Sequence, residues 1–266
     1  MKILFLGAGK MASAIAGGLV RAKLYQADEL AAFDIFPAAA ETFSASTGVS
    51  CFTDDLAGLV RQAETLLIAV KPQTLQEALV PLKGMLKDKC ILSIVAGMSI
   101  EKLSALSGAE RIIRIMPNTP ALVGQGAAGI AKGPGAKNED LQLALDIFSA
   151  VGTAYSVPEK NLDAITALSG SGPAYVFEFI QALADGGVAT GLARDTATAL
   201  AVQTVLGAAE MVRQTAMHPT MLKDQVTSPA GTTIAALEVL EERAFAGAVI
   251  AAVKAAAKRS EELGKK

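Results

Sequence analysis

The first residues with the types and spacing for chemistry are Gly7, Ala8, Gly9, Lys10, Met11 and Ala12. They form a G-x-G-x-x-A run directly after the apolar Ile3-Leu4-Phe5-Leu6. In that setting Gly7 permits a tight turn out of a strand and Gly9 lets a pyrophosphate approach the backbone. Ala12 keeps helix and sheet close. A helix opening here turns its free N–H groups toward the phosphates. The implied chemistry is hydride transfer from a nicotinamide dinucleotide. Asp34 follows the second apolar run, about 20 residues on, where an acid accepts hydrogen bonds from ribose hydroxyls. It repels a 2′-phosphate, and Ile35-Phe36-Pro37 supplies no cation, so the local chemistry favours NADH.

The absences narrow the acceptor. Reducing a carbonyl makes an alkoxide that a general acid must protonate. The one histidine, His218, stands directly before Pro219, which reads as a helix-entry turn. No Tyr-x-x-x-Lys pair exists: Tyr25, Tyr155 and Tyr175 are followed four residues on by Glu29, Glu159 and Phe179. Gly170-Ser171-Gly172 is followed by Pro173-Ala174-Tyr175-Val176 with no Lys. A protonated C=N bond removes the difficulty, because it takes hydride directly to give a neutral secondary amine. Polar groups that hold the ring nitrogen then suffice. The absence of a convincing acid tilts the choice toward an imine.

These residues must be held by alternating elements. Strands are expected at Ile3 to Leu6, Leu30 to Phe33, Leu66 to Val70, Ile91 to Val95 and Ile112 to Met116. Helical patterns lie near Met11 to Arg21, Leu75 to Leu86 and Ile100 to Leu106, the last with Ser99 at the N-cap position. The alternation implies βαβ units and a mostly parallel sheet. After Met116-Pro117-Asn118-Thr119-Pro120 one more strand–helix–strand unit is expected to run to Val157. From Pro158 onward long Ala-rich helical patterns dominate: Glu159 to Leu168, Ala174 to Thr190, Asp195 to Gln214, Thr232 to Leu240 and Phe245 to Leu263. The expected organisation is an α/β domain over 1–157 and a helical domain over 158–266.

Composition excludes several classes. The chain has 266 residues, with 24 Lys and Arg against 26 Asp and Glu, a near balance that gives no footprint for nucleic acid or an anionic membrane. Aromatics are 5 % and Trp is absent, so base-stacking platforms are not supplied. The longest uncharged run, Ile115 to Ala131, is broken by Pro117, Asn118, Pro120 and several Gly, whereas a spanning helix needs about 20 mostly apolar residues. No signal-peptide pattern opens the chain, and Cys51 and Cys90 lack metal spacing. A reduced cytoplasmic protein without a metal is expected.

The second half carries Leu168-Ser169-Gly170-Ser171-Gly172-Pro173-Ala174-Tyr175 and Leu222-Lys223-Asp224-Gln225-Val226-Thr227-Ser228-Pro229-Ala230-Gly231-Thr232-Thr233-Ile234. With Ala69-Val70-Lys71-Pro72 and Met116-Pro117-Asn118-Thr119-Pro120, these closely resemble the pyrroline-5-carboxylate reductases, in order and over essentially the whole chain. The LKDxVxSPxGTT segment is the most specific element. The resemblance implies a Rossmann-type domain followed by an all-α dimerisation domain whose helices interlock, often assembled further into rings of dimers. It implies reduction of 1-pyrroline-5-carboxylate to L-proline by NADPH or NADH, the last step of proline synthesis.

The resemblance also implies site residues. Ser228, Gly231, Thr232 and Thr233 match the turn that holds the substrate carboxylate and ring nitrogen, with Thr233 chosen for the nitrogen contact and as the catalytic residue. Glu159 matches a substrate-side acid, against its plainer reading as a first-turn helix acid. Ser171 and Gly172 are expected to shape the floor of the site. Ala69, Val70, Lys71 and Pro72, with Ala96, Gly97 and Asn118, fall after strands, at the edge where open α/β sheets bind ligands, and are read as cofactor-binding. Ala230 stands where the family's usual SPGG has its first Gly, tolerable if its φ stays negative. Many members favour NADPH and have a small polar or basic residue where this chain has Asp34, so precedent and local chemistry disagree on the cofactor. Two other readings stay open: a reductase of another cyclic imine or a 2-keto acid, and a non-catalytic dinucleotide-sensing dimer. The Ala-rich faces of the helical domain predict an obligate oligomer.

Overall fold

The apolar runs of the first half become strands of one sheet in the computed structural model, which describes residues 1–264. In chain order these are β1 (Ile3–Leu6), β2 (Leu30–Phe33), β3 (Cys51–Phe52), β4 (Thr65–Ile68), β5 (Cys90–Ser93), β6 (Arg111–Met116), β7 (Gly126–Lys132) and β8 (Gly152–Ser156). The helices among them are α1 (Lys10–Arg21), α2 (Pro37–Thr47), α3 (Leu56–Gln62), α4 (Leu75–Leu79), α5 (Ile100–Ser107), α6 (Asn138–Ser149) and α7 (Leu162–Ile165). A π-helical turn, Thr166–Gly170, follows α7. Then come α8 (Gly172–Ala189), α9 (Arg194–Thr215), α10 (Pro219–Gln225), α11 (Thr232–Glu242) and α12 (Phe245–Gly264).

The sheet order is β3-β2-β1-β4-β5-β6-β7-β8. Neighbours from β3 to β6 are parallel, β7 runs antiparallel to β6, and β8 is parallel to β7. β1, β2, β4 and β5 are buried at every position, as strands covered by helices on both faces must be. Alternation splits β1 between two cores. Ile3 and Phe5 pack with Ile15, Phe43 and Phe148, while Leu4 and Leu6 pack with Val60, Leu75 and Leu103.

The order of elements in the first half agrees with expectation, and Ser99 caps α5 by accepting the Lys102 N–H at 3.1 Å. Three corrections apply. The helix expected over Leu75 to Leu86 stops at Leu79 and tightens into a 3-10 turn at Val80–Leu82, because Pro81 has no N–H to continue the ladder. The strands expected to end at Val70 and Val95 end at Ile68 and Ser93. The single helix expected over Glu159 to Leu168 is a 3-10 turn, the short α7 and the π-helical turn in succession. α2, β3 and α3 had no counterpart in the sequence reading.

The chain forms two compact units, one of Met1–Ser171 with the chain from Ala255 onward, the other Gly172–Lys254. The first holds the whole sheet. Its returning segment is anchored by Ser260 Oγ donating to Asp163 Oδ1 at 2.6 Å and by Lys102 Nζ donating to the Gly264 carbonyl at 2.7 Å. In the second unit the buried residues are Ala184, Ala197 and Ala201, packed with Ile180 and Val188. Large apolar side chains such as Phe177, Leu200, Leu206, Val239 and Ile250 stay exposed. Among the described residues no helix is long and apolar enough to cross a membrane.

Candidate active site

The residues read as cofactor-binding gather at one edge of the sheet. β1 pairs with β2 on one side and β4 on the other, so the strand order switches there, and the carboxyl ends around such a switch form a crevice. Gly7 stands just past β1 with φ +102°, and a Cβ there would come 2.9 Å from the Ala69 carbonyl oxygen. Backbone conformation and the approach of the chain after β4 both require glycine. Gly9 is different. Its φ is −76°, and an added Cβ would meet no protein atom within 4 Å. Nothing in the fold demands glycine here; what its bareness keeps clear is the face a pyrophosphate would approach. Gly9 caps α1 with no side-chain hydrogen bond, so the first N–H groups of α1 remain available to an anion. Ala12 is 1 % exposed and seats α1 on the sheet. Lys10 is exposed and Met11 half-buried.

Asp34, one residue past β2, holds its carboxylate against this loop. Oδ2 accepts the Ala8 N–H at 2.8 Å and Oδ1 accepts the Phe36 N–H at 3.0 Å. Past β4, Ala69 donates its N–H to the Leu6 carbonyl at 2.8 Å; Val70 is half-buried and Lys71 and Pro72 are exposed. Ala96 is exposed and Gly97 turns with φ +74° in the loop between β5 and α5. The residues present therefore fit a dinucleotide, with a cleared turn, uncapped helix N–H groups and an acid at the ribose position.

Asn118, past β6, is buried and its side chain is engaged at both ends. Oδ1 accepts the Ala127 N–H at 2.8 Å, and Nδ2 donates to the Ser169 carbonyl at 3.0 Å. Glu159 is engaged too. Its Oε1 accepts the Ile100 N–H at the start of α5 at 2.8 Å and Arg114 Nη1 at 3.1 Å. This geometry gives Glu159 the part of a tie between β6, α5 and the segment before α7. Arg114, absent from the sequence reading, was detectable as a cation inside the otherwise apolar Ile112 to Met116.

In the second unit Ser228, Gly231, Thr232 and Thr233 come together at one turn. Gly231 donates its N–H to the Ser228 carbonyl at 3.1 Å, closing a tight turn with Pro229 and Ala230 at its centre. Ala230 has φ +56°, which corrects the expectation of a negative value. A turn with Pro first and a positive φ second is of type II, whose second central residue is ordinarily Gly. A Cβ on Gly231 would strike Ser228 Oγ and crowd the Ser228 carbonyl, so a larger residue there would have to displace the Ser228 side chain. Gly231 caps α11 with no side-chain hydrogen bond, leaving N–H donors for a carboxylate. Thr190, Thr198, Thr204 and Thr215 donate their hydroxyls to carbonyls one turn back. Thr233, half-buried in the first turn of α11, shows no such bond among the described residues.

The other reactive side chains are quiet. Burial pushes the Cys51 thiol up to about 11 and the Cys90 thiol up to about 12, so neither is a thiolate near neutrality. His218 is the N-cap of α10, its Nδ1 accepting the Thr220 N–H at 3.3 Å. Among the described residues no group of three or more His, Cys, Asp or Glu could hold a metal ion.

Comparison with known proteins identifies the family. Residues 159–263 match the family described as pyrroline-5-carboxylate reductase dimerisation, and residues 2–97 match that described as NADP oxidoreductase, coenzyme F420-dependent. The chain is 48 % identical to a pyrroline-5-carboxylate reductase of Methanosarcina acetivorans, over 100 % of this chain and 98 % of that one. It is 46 % identical to one of Arabidopsis thaliana, over 98 % and 95 %. Among solved structures, the pyrroline carboxylate reductase of Plasmodium falciparum with NADP bound is 35 % identical with TM-score 0.88, covering 99 % of this chain and 98 % of that one. A pyrroline-5-carboxylate reductase of Coxiella burnetii is 34 % identical with TM-score 0.92, covering 98 % of each.

Proposed function

This chain belongs to the pyrroline-5-carboxylate reductase family, and we propose how its own residues serve that reaction. It is an NAD(P)H-dependent oxidoreductase of proline biosynthesis that reduces the C=N bond of 1-pyrroline-5-carboxylate to L-proline. The cofactor, when bound, supplies the hydride. In our reading Gly7, Ala8, Gly9, Lys10, Met11 and Ala12 receive its pyrophosphate, and Asp34 its adenosine ribose. Ala69 to Pro72, Ala96, Gly97 and Asn118 shape the rest of that edge.

Ser228, Gly231 and Thr232 hold the substrate carboxylate at the uncapped start of α11. Thr233 directs its hydroxyl at the ring nitrogen, where it can donate or accept. The ring carbon takes the hydride, the C=N π pair moves to nitrogen, and the protonated imine becomes a neutral amine. No alkoxide forms, so a hydrogen-bonding hydroxyl suffices without a strong acid. Glu159 stands outside this contact set, as the partner of Arg114 and α5. The observation that carries the reading is a bare helix start in each unit, α1 behind Gly9 in the first and α11 behind Gly231 in the second.

The chain self-associates through its dimerisation domain and takes a small-molecule substrate. A homodimer, assembled further into a ring of dimers, is the form we propose, because it would cover Phe177, Leu200 and Val239. We also propose a cytoplasmic location and a division of labour near residue 157, with dinucleotide binding before it and dimerisation after. The test is oxidation of the reduced dinucleotide with pyrroline-5-carboxylate, a six-membered cyclic imine and a 2-keto acid as parallel substrates. Fastest turnover of pyrroline-5-carboxylate supports the reading; preference for the keto acid overturns it.

A further inference from the structure

We propose that Asp34 makes this enzyme selective for the dinucleotide with a free 2′-hydroxyl, so that NADH binds more tightly than NADPH. The inference rests on the dinucleotide-dependent reading above and concerns the adenosine end alone. The Asp34 carboxylate is fixed, not a mobile surface group: Ala8 N–H holds Oδ2 at 2.8 Å and Phe36 N–H holds Oδ1 at 3.0 Å. A carboxylate offers about four acceptor sites. Two remain, and ribose hydroxyls are donors that suit them. A 2′-phosphate brings only acceptors and further negative charge to the same place.

The surroundings offer that phosphate little in exchange. Ile35 and Phe36 are 68 % and 65 % exposed, which suits the flat face of an adenine and supplies no charge. The first turn of α2 is a poor anion seat as well. Phe36 N–H is given to Asp34, Pro37 has none, and the N–H groups of Ala39 and Ala40 both donate to the Phe36 carbonyl. Among the described residues, Ala38 alone in that turn keeps an uncommitted N–H. Other family members include one solved with NADP bound, so the expected selectivity is a property of this chain's own residues.

The test is calorimetric binding of NADH and NADPH to the whole chain. Wild type should bind NADH roughly tenfold or more tightly, the order expected for one carboxylate facing a doubly charged phosphate across about 4 Å. Asp34→Ser should weaken NADH and strengthen NADPH, so the ratio of affinities moves. Equal or tighter NADPH binding by wild type overturns the proposal. So does an Asp34→Ser variant that loses both affinities by the same factor, which would reduce Asp34 to a brace for the Ala8 loop. Ile35→Arg, which leaves the Ala8 and Phe36 hydrogen bonds intact, should improve NADPH selectively; an unchanged ratio counts against the proposal even if Asp34→Ser fails to fold. Turnover of pyrroline-5-carboxylate measured alongside separates the claims. Selective binding without turnover would sink the reaction and keep the selectivity, and binding of neither dinucleotide would sink both.

Discussion

The side-chain amide of Asn118 ties the end of β6 to the π-helical turn, donating from Nδ2 to the Ser169 carbonyl at 3.0 Å. Its Oδ1 takes the Ala127 N–H at the start of β7. One buried side chain thus fixes both β7 and the Ser169-Gly170-Ser171 segment that leads into α8. π-helical turns are strained relative to α-helix and concentrate at functional sites. Asn118→Ala should leave two partly buried backbone groups without this partner and cost about 1–3 kcal/mol, measured by urea denaturation. The expected kinetic signature is a fall in kcat that exceeds any change in dinucleotide Kd. A large rise in Kd with kcat preserved would mean that Asn118 acts on the cofactor directly.

Thr233→Val keeps shape and removes the hydroxyl. Turnover should drop about 100-fold, comparable to loss of one well-placed hydrogen bond to a developing charge. Thr233→Ser should retain most of the activity. A valine variant with wild-type kcat and intact folding would end the assignment of Thr233.

Gly7 and Gly9 should fail in opposite ways. Gly7→Ala puts a Cβ against the Ala69 carbonyl at a φ of +102°, and should cost about 2–4 kcal/mol of stability. At Gly9 an added Cβ meets nothing in the protein within 4 Å, so Gly9→Val should change stability by about 1 kcal/mol or less. It should nevertheless abolish dinucleotide binding. Thermal unfolding and calorimetry together check the pair, and a Gly9→Val protein that still binds the dinucleotide tightly would contradict the site.

Ala230 holds a left-handed conformation that costs an L-residue roughly 1–2 kcal/mol. Ala230→Gly removes that cost and adds unfolded-state freedom of about 0.5–1 kcal/mol. The net expectation is a gain of about 0.5 kcal/mol in denaturation, with the KM for the imine retained because the turn already has its native shape. Loss of stability would place the turn in a different geometry.

Asp140 and Arg111 set an acid limit. Burial pushes the Asp140 carboxyl up, but the Arg111 guanidinium, the Lys137 N–H and the Cys90 thiol together hold it below the ordinary carboxylate range. A folded pKa below the unfolded value of about 3.9 means that the stabilisation is complete above that pH. It is lost as pH falls through the folded pKa. Arg111→Leu should therefore be less stable than wild type by about 2 kcal/mol near neutrality, discounted for the partial exposure of Arg111. The gap should close as the pH drops below about 4. A gap that persists in acid would show that packing of the Arg111 stem, not its charge, is what matters.

What could be read from the sequence follows from which interactions are local. β1 and β2 match their expected bounds because four buried apolar residues between polar neighbours permit little else. Ser99 was legible as an N-cap for the same reason. α2 opens with Pro37-Ala38-Ala39-Ala40, and its buried positions are only Ala40, Phe43 and Thr47, too faint an apolar stripe to announce a helix. The hydrogen bonds that Glu159 and Asn118 make to Ile100, Arg114 and Ser169 were not legible, because those partners are distant in sequence. The conformation of Ala230 was misjudged because residue type argued against a positive φ and the turn overruled it. Ser228, Gly231, Thr232 and Thr233 were named from resemblance; being nearly contiguous in sequence, they fall together at the start of α11.

The return of the chain from Ala255 to the sheet-bearing unit has a consequence for biogenesis. The last strand of the sheet ends at Ser156, so a ribosome has supplied every strand of that sheet well before it reaches Ser260. Yet the Ser260 and Gly264 contacts with Asp163 and Lys102 belong to that same unit and form only once the chain beyond Lys254 has been made. Translation, which favours folding from the amino end, therefore delivers a complete sheet whose closing latch arrives only after the helical segment has been made. The half-finished unit must persist through synthesis of the entire helical segment, exposed for that interval to chaperones and proteases.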